Sequence, residues 1–175
     1  MTRTLIIYST VDGQTLAICQ QLQQVLQEAG SEVTTVPLEQ AKGINLAYFD
    51  KVLIGASIRY GKHRPELYDY VNRHRAVLNN KTNAFFTVNV VARKPEKNTP
   101  DTNPYMAKFL KLSLWQPQLL GVFAGKIDYP KYRFFDRFMI RFIMWMTKGP
   151  TDIKGTFEFT DWDKVNEFGR AFSER

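Results

Sequence analysis

The chain has 175 residues, 44% of them apolar and 23% charged, which is enough to bury a good core and excludes a disordered or fibrous polymer. Lys and Arg number 24 against 17 acids, a net charge of +7, and such a surplus draws nucleic acid, anionic lipid or an acidic ligand without choosing among them. Cys19 stands alone, so a disulfide framework and a cysteine metal cluster are excluded, and a reducing, cytoplasmic compartment is the default. No N-terminal signal peptide is visible, and no uninterrupted apolar run is long enough to span a bilayer. His63 and His74 are too isolated to form a metal site.

Leu5, Ile6, Ile7 and Tyr8 read as a buried strand covered on both faces. Ser9, Thr10, Val11, Asp12, Gly13 and Gln14 form a polar turn, and Gly13 permits close backbone approach. From Thr15 the apolar period becomes helical, through Ile18, Leu22, Val25, Leu26 and Ala29, with Gly30 as the stop. A strand feeding a hydroxyl-rich turn at a helix N-terminus offers amides, hydroxyls and the positive helix end to a phosphate. The turn lacks both the Gly-Lys-Ser/Thr ending and G-x-G-x-x-G, which leaves a phosphate monoester rather than a triphosphate or a dinucleotide. The alternative is an ordinary strand-to-helix turn capped by Asp or Thr.

Further along, Glu32–Pro37 is a second strand and Lys51–Ser57 a buried third. A helix runs from Pro65 to Leu78, Asn83–Val91 is a fourth strand, and Tyr105–Leu114 is helical. Leu119–Ile127 is a fifth strand, and a last helix begins at Asp161 or Trp162. This alternation predicts an α/β fold: a doubly wound, five-stranded parallel sheet in the order 2-1-3-4-5. The loops after Tyr8, Ala56 and Val88 then meet at the carboxyl edge between the first and third strands, where ligands of such sheets bind. No repeat, linker or low-complexity segment interrupts the chain, so 1–175 reads as one domain.

Between the fifth strand and Gly149-Pro150 lies an inserted amphipathic segment at about 128–150. Arg133, Arg137 and Arg141 recur every four residues and form a stripe. Phe135, Phe138, Met139, Phe142, Trp145 and Met146 lie opposite, and Ile140 and Met144 intrude on the basic stripe. A helix of about 17 residues would run roughly 25 Å, and its arginines argue against a transmembrane span. It is either an interfacial helix on an anionic membrane surface, a wall for a flat apolar substrate, or a core or dimer face.

The turn S-T-x-D-G-Q-T resembles the FMN phosphate loop of the flavodoxin family, usually T-x-T-G-x-T, from which Asp12 departs by one hydroxyl. Together with IGASIRYGKH, VNVVARKPEKNTPDTNPY, GKIDYPKYRFFDRFMIRFIM and FTDWDKV, the chain resembles the flavodoxin-like, quinone-linked protoporphyrinogen oxidases of bacterial haem synthesis along nearly its whole length. The resemblance implies an FMN enzyme, peripheral to the inner membrane on its cytoplasmic side. It would oxidise protoporphyrinogen IX and pass electrons to a membrane quinone, menaquinone or ubiquinone, with no nucleic-acid partner. By matching position, Ser9–Thr15 hold the phosphate, and Ala56, Ser57, Ile58, Arg59, Tyr60, Val88, Asn89, Val90 and Val91 surround the ring. Arg93, Arg133, Arg137, Arg141, Phe138 and Phe142 touch substrate propionates or the membrane. Tyr60 either stacks on the ring or packs against the next helix. No residue stands out as a general base. The competing readings are a flavodoxin-type electron carrier, an NAD(P)H:quinone oxidoreductase of the same fold, and an anion-binding module without flavin.

Overall fold

Five apolar runs become the strands of one parallel sheet in the computed structural model, which describes residues 1–175. The strands are β1 (Arg3–Ser9), β2 (Glu32–Pro37), β3 (Lys51–Ser57), β4 (Thr82–Asn89) and β5 (Leu119–Ala124). Their order, β2-β1-β3-β4-β5, is the one the alternation predicts. Register brings Leu5 beside Val52, Ile54 beside Phe85 and Phe85 beside Leu120. Because successive side chains alternate between faces, Leu5, Ile7, Val52, Ile54 and Phe85 enter one core and Ile6, Leu53, Phe86 and Phe123 the other.

Each core is closed by helices. Helices α1 (Gln14–Glu28) and α7 (Trp162–Ser173) cover the second face with Ile18, Leu22, Leu26, Val165, Phe168 and Phe172. The first face takes α2 (Leu38–Ala41), α3 (Pro65–Arg73), α4 (Arg75–Asn79) and α5 (Pro104–Leu112). A fully buried Leu or Ile contributes about 1.5–3 kcal/mol, so the apolar stripe of α1 anchors the loop that precedes it.

Three boundaries differ from the sequence reading. The helix expected over 65–78 breaks at His74, whose ψ of 9° leaves helical geometry, giving α3 and α4. The fourth strand ends at Asn89, because its Oδ1 accepts from Ala92 N at 3.1 Å and winds Val90–Arg93 into a 3₁₀ turn. The fifth strand ends at Ala124, where the chain leaves the sheet. Strand β6 (Lys126–Asp128) then pairs antiparallel with β7 (Thr156–Glu158). The inserted segment therefore begins at β6 and closes at β7, and it carries α6 (Phe134–Met146) between them. Ile127, Tyr129, Tyr132 and Met144 form a small core of its own. No helix is long and apolar enough to cross a membrane.

Candidate binding site at the carboxyl edge of the sheet

The turn after β1 carries its glycine in a left-handed torsion. Gly13 has φ +92°, which glycine adopts without strain, and a Cβ there would meet no protein atom within 4 Å. Thr10 Oγ1 accepts from Gly13 N at 2.9 Å. No side chain caps α1, so the alternative of an ordinary capped turn does not describe it. The amides of Gln14, Thr15 and Leu16 make no hydrogen bond within the chain. Thr15 is fully buried, yet its Oγ1 has no partner. An unpartnered buried hydroxyl costs about 1–3 kcal/mol. Beside free amides at a positive helix end, this donor set suits a small anion.

The loop's other side chains turn away from that set. Asp12 pairs with Arg59, and Gln14 Nε2 donates to Thr160 Oγ1 at 2.9 Å and Glu158 Oε1 at 3.2 Å. Burial works to lower the Arg59 pKa, but the bond and charge of Asp12, with Tyr132 and Tyr60 adding to them, outweigh it and the net shift is upward. Arg64 Nη2 donates to Thr10 O at 3.0 Å.

The turn after β3 makes the next wall. Arg59 and Lys62 bond to each other's carbonyls, with Tyr60 at φ 53° and Gly61 at φ 80° between them. This is the geometry of a two-residue hairpin with both central residues left-handed, which normally wants Asn-Gly. Tyr60 lines the pocket, and its hydroxyl donates to Asp136 Oδ1 on α6. Val88, Asn89, Val90 and Val91 form the adjoining wall, tied to the third-strand loop by Ile58 N donating to Val88 O at 3.0 Å. Beneath them, Asn89 and Asn103 exchange amide bonds at 3.0 and 3.3 Å. Asn89 also reaches Thr87 Oγ1, which meets His63 Nε2 at 3.0 Å. Burial, with the charge of Lys108 added, lowers the His63 pKa to about 4, so its imidazole is neutral at pH 7.

Among the expected residues, Thr10, Asp12, Gln14, Thr15, Ser57, Ile58, Arg59, Tyr60 and Val88–Val91 converge on this pocket. Ser9 and Ala56 are buried in the strand ends, Val11 points to solvent, and Gly13 shapes the turn; none of these four lines it. The inserted segment does supply a wall, one of the roles its pattern offered, but with residues other than its aromatic face. Ile127, Tyr132, Ile140, Ile143 and Met144 supply it, and Gly125, Lys126 and Tyr105 also line the pocket. Ile140 and Met144 were the residues that broke the arginine stripe. That irregularity was the available signal of an inward face.

Helix α6 has 13 residues, about 20 Å, shorter than the expected 17. Its outer side presents Phe134, Phe135, Phe138, Phe142, Trp145 and Met146, with Trp145 70% exposed. Phe138, Arg141, Phe142, Trp145 and Thr151 line a shallow groove there. The arginine stripe divides: Arg133 and Arg141 are exposed, whereas Arg137 Nη2 donates to Tyr132 O at 3.2 Å. Arg93 stands apart from that face, donating to Val90 O at 3.0 Å and Thr147 O at 3.1 Å. Its guanidinium clips the 3₁₀ turn to the end of α6.

The sheet order, the uncapped turn and the three loops converging on one pocket define a flavodoxin fold. The flavodoxin-domain family model matches residues 5–154, and the chain belongs to that family. A flavodoxin of Fusobacterium nucleatum, solved bound to flavin mononucleotide, superposes with a TM-score of 0.54 at 9% identity, covering 99% of this chain and 98% of that one. Within the family, the chain is 44% identical over 171 residues to the protoporphyrinogen IX dehydrogenase [quinone] of Escherichia coli K12, covering 98% of this chain and 94% of the relative. A protein of the same name from Leishmania major is 44% identical over 172 residues, 98% of this chain and 74% of that one. This chain is an oxidoreductase of that group.

Proposed function

We propose that the chain, as one domain over 1–175, holds FMN and oxidises protoporphyrinogen IX to protoporphyrin IX in haem synthesis, delivering the electrons to a membrane quinone. The observation that carries this reading is the buried, unpartnered Thr15 hydroxyl at the uncapped start of α1, opening into a pocket whose far wall is the apolar inner side of α6. Thr10, Thr15 and the amides of residues 14–16 hold the phosphate monoester. Ser57–Tyr60 and Val88–Val91 flank the ring, and bound flavin supplies two-electron redox chemistry. The residues around it bind, orient and exclude water. The carboxylate among the lining residues, Asp12, is paired with Arg59, and His63 is buried against Thr87, so neither stands free as a general base.

The outer side of α6 suits the membrane reading. A patch of large exposed apolar residues marks an interaction surface, and aromatics beside arginines fit the boundary of an anionic bilayer. Arg133 and Arg141, with Phe138 and Phe142, contact lipid or the substrate's propionates. The direct test incubates the FMN-loaded protein anaerobically with protoporphyrinogen IX and a quinone and follows porphyrin fluorescence. Three quinones reduced per porphyrin formed is the expected result. Flavin reduction by NADPH with no porphyrin would replace this reading with an NAD(P)H:quinone oxidoreductase. For the membrane contact, joint replacement of Phe138, Phe142 and Trp145 by Ser is expected to abolish flotation with anionic vesicles; unchanged flotation removes that part.

A further inference from the structure

We infer that the phosphate loop is also the latch for the inserted helix: Asp12 acts through Arg59 on Asp136, Gln14 acts on β7, and an anion bound by the loop tightens the docking of α6 over the pocket. The coupling half rests on the FMN reading; the latch half does not.

An acidic residue in a loop built for an anion is out of place on charge alone. Pairing with Arg59 cancels that charge. Arg59 is the shared member of the cluster, because its Nη1 also lies 3.8 Å from Asp136 Oδ2 in the first turn of α6. Its side chain is only 17% exposed, so these pairs are partly shielded from solvent, where charge pairs hold better than on an open surface. Tyr60 adds a third link by donating its hydroxyl to the same carboxylate. It does so from a left-handed torsion that a non-glycine residue occupies at a cost of about 1–3 kcal/mol. Such torsions persist where neighbouring contacts hold them; here the hairpin and the bond to Asp136 do so.

A second tie grips the other end of the segment. Gln14, two residues after Asp12, bonds to Glu158 on β7 and to Thr160 just beyond it. The loop thus holds the inserted segment near its entry and at its exit. Apolar contacts alone grip α6 lightly: only Met144 is buried, with Ile140 and Ile143 half-buried beside it. The polar ties therefore carry an unusual share of the docking. An anion that orders residues 12–15 also orders the side chains that clasp α6, and by linkage a docked α6 favours the anion equally.

Hydrogen exchange on the full chain tests both halves. Without FMN, Asp136→Asn and Arg59→Gln are each expected to speed exchange across 134–146 about five- to tenfold, leaving residues 3–9 and 51–57 at wild-type rates. Wild-type exchange of the helix in both variants overturns the latch. General acceleration in one variant marks a misfolded protein, and the other variant then decides. With FMN, the wild type is expected to show a further slowing of about tenfold over 134–146, which Asp12→Asn loses while residues 14–18 remain protected. Equal slowing of the helix in Asp12→Asn overturns the coupling. FMN that protects neither region overturns the cofactor reading and the coupling together, and the first arm still judges the latch.

Discussion

Helices α1 and α6 carry the same kind of pattern and meet opposite fates. The apolar stripe of α1 is buried against the sheet through Ile18, Leu22 and Leu26. The larger stripe of α6 lies in solvent, and its thinner side, Ile140, Ile143 and Met144, faces the pocket. Periodicity reports that a helix has two sides, but not which one the rest of the chain covers. One helix buries its larger apolar side in the fold, and the other leaves it in solvent.

The sharpest way to break that contrast is a pair of truncations. Leu22→Ala is expected to destabilise the protein by about 2–5 kcal/mol, the range for emptying a packed core site. Trp145→Ala is expected to stay within about 0.5 kcal/mol, as exposed positions do. Urea unfolding measures both, and a large loss at Trp145 would mean that the outer face of α6 is covered after all.

The next effect belongs to the buried network under the pocket. His63 has its folded pKa lowered to about 4, so the unfolded chain binds the extra proton first as pH falls. Its contribution is present above the unfolded pKa of about 6.5 and is lost as pH drops towards 4, amounting to about 3 kcal/mol. Unfolding curves between pH 7 and pH 4 are expected to be flatter for His63→Gln by that amount. Parallel curves would deny the burial of a neutral imidazole.

Thr15→Val keeps the shape and removes the unpartnered hydroxyl. FMN affinity is expected to fall about ten- to hundredfold by calorimetry, as for one hydrogen bond to a charged group, while stability holds or rises. The smallest effect is at the hairpin. In an Asp136→Asn background, Tyr60→Asn is expected to stabilise by about 1 kcal/mol, because the left-handed torsion then suits its residue; no gain would show that the ring's packing outweighs its backbone.

Legibility followed local pattern. Strands β2 and β3 were readable to the residue, because Glu32–Pro37 and Lys51–Ser57 are apolar or β-branched runs bounded by turn formers. The sheet order followed from the alternation of strand and helix. The break at Ala124 was not readable, since Gly125 interrupts an apolar run without ending it, and only pairing with residues 156–158 turns Lys126–Asp128 into another sheet. Within the pocket, the loop after β1 was legible as a polar turn following a buried strand, and the expected sheet order placed the ends of β3 and β4 beside it. Arg93 was not legible: its sequence setting is a basic loop, and only the fold shows its guanidinium spent on the carbonyls of Val90 and Thr147. The residues of the far wall escaped because Ile140 and Met144 registered as flaws in an arginine stripe rather than as a face.

What matters most is whether the unpartnered hydroxyl and free amides at the start of α1 hold a flavin phosphate. Calorimetric titration of the cofactor-stripped chain with FMN, beside riboflavin, which lacks the phosphate, measures this directly. One FMN per chain, with riboflavin at least a hundredfold weaker, is the predicted result. Equal affinity for the two, or no uptake of either, contradicts it.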